Sequence, residues 1–387
     1  MTVKNGQLPK GWREVRLGEI SKFSKGSGIT KSEVRDTGVP CIRYGELYTK
    51  HNLKVRNFYS FISNKDLDKR KLIKNNDLLF AGSGETKEEI GKCASFNHDI
   101  RAYAGGDVII CSLDPKAVRA DFASCYLNTI GRKQINRLGQ GNSIVHIYSR
   151  YLENVVIPLP SIEEQKAIAS LLEKWDTAIE KIEALIEAKE KQFKWLLKTL
   201  ISDQQDNPEW QKMKLGEICT FEYGKPLKEQ DRIGDQYPVF GSNGIVGHHN
   251  EYLVAGPFIV VGRKGSAGTV SYSMSNGFPI DTTFYVNLQS GEIHLRLLYY
   301  LLLLVQLDKI SAQSGVPGLN RNDAYKISIS IPSPIEQREI TRALDLASRE
   351  TDLLNQLAEQ YRIQKHGLMQ KLLTGKWRIK PNTKARM

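Results

Sequence analysis

No stretch of the 387-residue sequence is apolar for long enough to cross a membrane. A span needs about 20 residues, and the longest run, Leu297 to Val305, has nine; a buried helix is expected there instead. The opening MTVKNGQLPKGW lacks the apolar segment of a secretory signal. Cysteine is scarce: Cys41, Cys93, Cys111, Cys125 and Cys219 are odd in number, with no CxxC and no Cys/His spacing suited to zinc. That argues against a disulfide framework and against a metal site, and a soluble, cytoplasmic protein is expected. Phosphate-cradling loops are missing as well. Gly26-x-Gly28 and Gly82-x-Gly84 lack a third glycine and a βαβ setting, and no Gly-x-x-x-x-Gly-Lys-Ser/Thr occurs. His98, His146, His248 and His249 have no Asp, Ser or Cys at a recognisable spacing. Asp77 with Glu85-x-Lys87 shares residue types with the metal-holding set of nucleases. Its spacing is short, however, and it lies in a glycine-rich loop that runs on into Glu88 and Glu89. No catalytic set emerges, so binding is the expected class.

What is present is charge, unevenly spread. With 40% apolar and 25% charged residues the chain has globular composition, and its length suggests two or three domains. The formal charge of +12 is concentrated in residues 1–160, which carry 26 basic and 16 acidic groups. Residues 161–206 carry 7 and 10, residues 207–332 carry 11 and 11, and residues 333–387 carry 11 and 6. A first segment at +10 is the footprint of a polyanion binder, because each neutralised phosphate releases counterions; a solubilising surface charge is the plainer alternative. The neutral third segment does not share that signal and needs a different account.

The sequence repeats itself. Gly11-Trp12 followed by Leu17-Gly18-Glu19-Ile20 returns as Glu209-Trp210 followed by Leu215-Gly216-Glu217-Ile218. A second match, from Asn142 to Gln165 against Ser314 to Gln337, pairs Ile157-Pro158-Leu159-Pro160-Ser161 with Ile329-Ser330-Ile331-Pro332-Ser333, and Glu164-Gln165 with Glu336-Gln337. The offsets are 198 and 172, so the second copy is about 26 residues shorter between its landmarks. Each copy reads as a variable body, a proline-rich stop and a long helix.

In the first helix Ile168, Leu172, Trp175, Ile179, Ile182 and Ile186 recur at spacings of four and three, followed by Phe193, Leu196 and Leu200, with Lys189 interrupting. That is a coiled-coil seam. Leu344, Leu354, Tyr361 and Leu368 fall on the equivalent seam of the second helix, together with Ile340, Ala347, Thr351, Ala358, Lys365 and Leu372. Large residues on one seam and small ones on the other predict that the two helices pair with each other, antiparallel, within one chain. At 1.5 Å per residue, such a helix over 163–201 spans about 58 Å, long enough to hold two bodies at a set separation. Both bodies alternate short apolar strands with Gly-, Asn- and Asp-rich turns. Val39 to Tyr44, Asp77 to Phe80, Asp107 to Cys111, Tyr237 to Phe240 and Pro257 to Val261 read as strands, and Phe122 to Ile130 and Leu295 to Leu307 as helices. The expected class is α+β: two α/β bodies joined by two long antiparallel helices in an intramolecular coiled coil, a pseudo-twofold duplication. The expected boundaries are 1–160, 161–206, 207–332 and 333–387.

These features resemble the specificity subunit of type I restriction–modification systems. The likeness spans essentially the whole chain. It rests most on Ile157 to Gln165, on Phe240 to Gly268, and on the ending Gly367-Leu368-Met369-Gln370-Lys371-Leu372-Leu373-Thr374-Gly375-Lys376. The second stop departs from the pattern as Pro332-Ser333-Pro334-Ile335, and the first helix ends without glycine. The resemblance implies target recognition domains that each read one half of a split, asymmetric DNA sequence, with helices that set the gap. It implies no catalysis and no bound cofactor in this chain. The implied partners are double-stranded DNA, two modification subunits that use S-adenosylmethionine to methylate adenine, and two restriction subunits that use ATP and Mg, with no membrane.

For DNA contacts, polar glycine-flanked residues after strands are the candidates: Arg43, Tyr44, Ser83, Glu85, Thr86 and Lys87 in the first body, and Ser242, Asn243, Arg263, Lys264 and Ser266 in the second. Arg263 or Lys264 can read guanine, Asn243 adenine, and Glu85 the amino group of cytosine, in the major groove. Turn residues such as Ser83 and Asn243 often serve only their own backbone. Two further alternatives stand beside the DNA reader: a scaffold whose helices bridge partner proteins without touching DNA, and a fused methyltransferase, which the missing cofactor motif disfavours.

Overall fold

The computed structural model describes residues 8–65, 67–141, 143–289, 291–309 and 318–379. Asn142, the start of the second repeat match at Ser314, and the tail beyond residue 379 lie outside them. Two compact units are present, one formed by residues up to Lys181 together with those from Ala358 onward, the other by Ile182–Leu357.

In the first unit Arg13–Arg16 pairs antiparallel with Val156–Leu159. A four-stranded antiparallel sheet follows, in the order Ser21–Lys25, Val108–Leu113, Asp77–Ala81, Cys93–Phe96. Every residue of Asp77–Ala81 and Cys93–Phe96 is buried, as befits strands covered on both faces. Side-chain alternation divides them. Leu78, Phe80, Cys93 and Cys111 join Phe122 and Leu127, residues of the helix Ala120–Leu127, in one core, while Leu79, Ala81, Ala94, Phe96 and Ile110 join Ile42 and Ala104 in another. Those last two belong to a second sheet, ordered Ser60–Ile62, Val39–Ile42, Ala102–Ala104, Lys71–Ile73, whose central pair is parallel.

The second unit repeats the plan. Gln211–Lys214 pairs with Ser328–Ile331. The main sheet runs Cys219–Tyr223, Thr283–Leu288, Phe258–Gly262, Val270–Ser273, and the helix Leu295–Leu304 shares its core. A smaller sheet holds Gly244–His249, Tyr237–Gly241 and Phe278–Pro279, again with one parallel pair. Among the described residues the strand Lys71–Ile73 has no counterpart there, which accounts for part of the shorter second copy. Both units are thus α+β, and the apolar run at Leu297 is the buried helix expected.

The long helices are Ile162–Leu200 and Pro334–Leu372, 39 residues each. Within the first unit, Ile168 and Leu172 share a core with Met369, Leu372 and Leu373, the Trp175 ring lies 5.3 Å from that of Tyr361, and Lys365 is ion-paired with Asp176. Within the second, Leu197 and Ile201 share a core with Ile340 and Leu344, and Lys189 reaches Glu350 at 2.9 Å. Rising numbers on one helix meet falling numbers on the other in both units, so the pairing is antiparallel. Ile168, Leu172, Ile179, Ile186 and Leu344 are buried, and Trp175, Ile182, Leu354, Tyr361 and Leu368 half-buried. Trp175 finds an aromatic partner in Tyr361, where the seam's small residues suggested a small one.

The repeated motifs have structural reasons. Ser161 and Ser333 accept the backbone N–H of Glu164 and Glu336 at 3.3 and 3.4 Å, closing the first turn of each helix. The Gln165 amide donates to the carbonyls of Ala117 and Pro160 and accepts from Arg119 N. Gln337 likewise donates to Glu292 and Pro332 and accepts from His294 N. Each glutamine therefore ties its long helix to the loop that enters the body's apolar helix. Gly18 and Gly216 lie against Glu153 and Tyr325, whose carbonyls accept their N–H groups.

Candidate nucleic-acid interface

Matching hydrogen bonds align the loops of the two units. Gly26 N donates to Val108 O as Gly224 N does to Thr283 O; Gly82 N donates to Asp107 O as Arg263 N does to Thr282 O; Gly105 N donates to Ile42 O as Ile280 N does to Phe240 O. Gly26 and Gly224 are the points of closest approach, since a Cβ on either would overlap the carbonyl of Gly105 or Ile280. On this frame Lys25 corresponds to Tyr223, Arg43 to Gly241, Tyr44 to Ser242 and Gly82 to Arg263. The loops chosen from sequence therefore occupy equivalent places in both units, at the ends of the same two strands.

In the first unit the chain turns at Arg43 into the helix Tyr44–Thr49, so Tyr44 opens a helix where the sequence suggested the end of a strand. Glu46 causes the turn: its carboxylate accepts the Arg43 backbone N–H at 3.4 Å. Arg43 and Tyr44 line an open cleft of about 960 Å³, with Lys25, Lys50 and Tyr59 on its other walls. Lys25 pairs with Asp107 at 3.4 Å, and both residues also line a smaller cavity of about 110 Å³ beside Ser83 and His146. Ser83 is buried in a two-residue strand paired with Val145–His146, and its hydroxyl is 3.1 Å from His146 Nδ1. It serves the fold locally. Glu85, Thr86 and Lys87 are exposed beyond it.

In the second unit Ser242 and Asn243 form the turn between Tyr237–Gly241 and Gly244–His249. Asn243 is exposed, while the Ser242 hydroxyl donates to Thr282 O at 2.6 Å. Thr269 donates to Ser242 O, drawing the two candidate loops together. Lys264 and Ser266 are exposed. Arg263 is partly committed: Nε and Nη2 donate to Asp281 O at 3.1 and 2.6 Å, and the guanidinium lies 5.1 Å from the Tyr223 ring. Arg321 meets the same ring at 4.9 Å, giving a half-exposed Arg–Tyr–Arg stack. Sequence reasoning missed Tyr223 and Arg321, along with Lys25, Lys50 and Tyr59. Carrying the repeat offsets through the loops, which sets Tyr223 opposite Lys25 and Arg321 opposite Ser149, would have drawn attention to the first two.

Of the groups first weighed, Asp77 and the cysteines are buried in the fold. Asp77 is buried and accepts Lys74 N at 2.7 Å; burial raises its carboxyl above the usual range. All five cysteines are buried, and burial pushes their thiols up to about 12, where the nucleophilic thiolate is absent at neutral pH. Among the described residues no cluster suits a metal ion, and no helix is long and apolar enough to cross a membrane.

Comparison with known proteins is consistent along the whole chain. The model of the type I restriction modification DNA specificity domain matches twice, over residues 9–190 and 207–361. The type I restriction enzyme MjaVIII specificity subunit of Methanocaldococcus jannaschii is 23% identical over 430 residues, spanning 97% of this chain and 95% of that protein. The EcoprrI specificity subunit of Escherichia coli is 26% identical over 163 residues, 41% of this chain and 40% of its own. The crystal structure of the type I restriction–modification S subunit from M. genitalium shares the fold with a TM-score of 0.69 at 20% identity, covering 95% of this chain and 97% of that one.

Proposed function

The chain belongs to the type I restriction modification DNA specificity family, and on that premise we propose that each of its units reads one half of a split, asymmetric sequence in duplex DNA. The observation that carries this reading is the alignment of the two units. One scaffold is used twice, with Lys25, Arg43, Tyr44 and Gly82 in one copy where Tyr223, Gly241, Ser242 and Arg263 stand in the other. Equal frames with unlike side chains at the same loop ends suit two different half-sites. Lysines at the rims grip phosphates and fix register, and polar loop residues meet base edges.

In this reading the chain is non-catalytic and holds no cofactor of its own. It recruits two modification subunits, which bring S-adenosylmethionine and methylate adenine, and two restriction subunits, which bring ATP and Mg. The interval between half-sites follows from the lengths of the two long helices. The matched proteins lend no support to a scaffold that ignores DNA.

Methylome sequencing of cells that carry the modification subunits, with and without this chain, tests the proposal. The expected result is one two-part motif bearing modified adenine that vanishes when the chain is deleted. An unchanged methylome would overturn it.

A further inference from the structure

We infer that the cleft of the first unit takes the edge of a guanine, read by Arg43 and made specific by Glu46, a buried positioning residue that fixes the arginine. This rests on the DNA-reading function above and assigns a base class to one site within it.

Glu46 lines the cleft and is only 5% exposed. Its Oε1 accepts Arg43 Nε at 3.2 Å and the Ser60 hydroxyl; Oε2 accepts Arg43 N at 3.4 Å and lies 3.8 Å from Nε2 of His51, itself buried. Both carboxylate oxygens are therefore occupied, and Glu46 acts through Arg43. Of the guanidinium nitrogens only Nε is engaged, among the described residues, which leaves Nη1 and Nη2 for a ligand. The Arg43 side chain is 37% exposed at the cleft wall. Tyr44 and Tyr59 expose 42% and 47% of their surface beside it, and Lys50 Nζ sits 5.5 Å from the Tyr59 ring.

A phosphate needs a cation but little geometry, and the lysines of the cleft, Lys25 and Lys50, suffice for that. Burying a carboxylate to hold one arginine by its Nε costs desolvation. The arrangement makes sense where direction matters, and two free parallel N–H groups match O6 and N7 of guanine. Arg263 in the second unit makes the contrast: its Nε and Nη2 already serve a backbone carbonyl.

The test uses the chain assembled with its modification subunits, on duplexes in which every base pair of the target is replaced in turn. Arg43→Ala should lose roughly 5- to 150-fold of discrimination at one G·C pair, in one half-site only, and Arg43→Lys should not restore it. Glu46→Gln should weaken discrimination at the same pair, with the other half-site unaffected; an unfolding curve on each variant separates this from misfolding. Uniform weakening by Arg43→Ala on all duplexes would make it a phosphate contact and overturn the inference, as would discrimination left intact. If the unaltered assembly prefers no two-part site at all, the DNA-reading function itself fails. If it prefers one and the variants keep every G·C preference, only the role of Arg43 and Glu46 falls.

Discussion

Gln165 and Gln337 show how much one residue can hold. Each is buried and spends its amide on three backbone groups that would otherwise lie unpaired. Replacing either by leucine keeps the volume and orphans those groups, at roughly 1–3 kcal/mol. Denaturant unfolding should show the loss for Gln165→Leu and for Gln337→Leu alike, and a neutral result in both would refute the role. Glu46 adds a dependence on pH. Burial alone would raise its carboxyl, but hydrogen bonds from Ser60 and Arg43, with the His51 ring 3.8 Å away, outweigh this and hold it below the usual range. A lowered folded value means its contribution is complete above the unfolded value of about 4.3 and is lost as pH falls through the folded one. The stability gap between the natural chain and Glu46→Gln should therefore be constant above about pH 5 and narrow on further acidification. A gap that widens toward acid would contradict it.

At the scale of elements, the long helices were the most legible part. A seam at spacings of four and three survives any uncertainty about what the bodies look like. It even placed Lys365 among apolar neighbours, although nothing in the sequence named Asp176 as its partner. Both side chains are largely buried, 10% and 18% exposed. Lys365→Leu alone should cost up to roughly 3 kcal/mol, and the pair Asp176→Leu with Lys365→Leu should recover most of it, because a well-packed apolar pair often replaces a buried ion pair without loss. A double-mutant cycle by thermal unfolding measures this; additive losses would show that the two residues do not interact. The loops were less legible, for a physical reason. A glycine-flanked polar residue has the same local sequence whether it faces solvent or its own backbone. Asn243 and Lys264 face outward, while Ser83 and Ser242 are spent on internal hydrogen bonds. Arg321 and Tyr223 meet only in three dimensions, 98 residues apart in the chain.

For the molecule as a whole, net charge and site geometry differ between the two bodies. Residues 1–160 carry the +10 surplus and residues 207–332 none. The assembled complex should lose affinity steeply as salt rises, whereas the chain alone should bind weakly, its second body lacking the cations to hold phosphates unaided. Filter binding at two salt concentrations, with and without modification subunits, decides this; full specific affinity in the partner-free chain would count against it. The first unit also draws on both flanks of the second. Arg378 donates to both oxygens of Glu164 at 2.6 and 2.8 Å and to Lys10 O at 2.9 Å, and Gly375, at a φ of 68°, packs on Pro9. Glu336, the matching carboxylate, receives Trp210 Nε1 instead. On the ribosome, therefore, the unit begun first is the last to have all its residues, because those from 358 onward emerge only after the second unit is complete at 357.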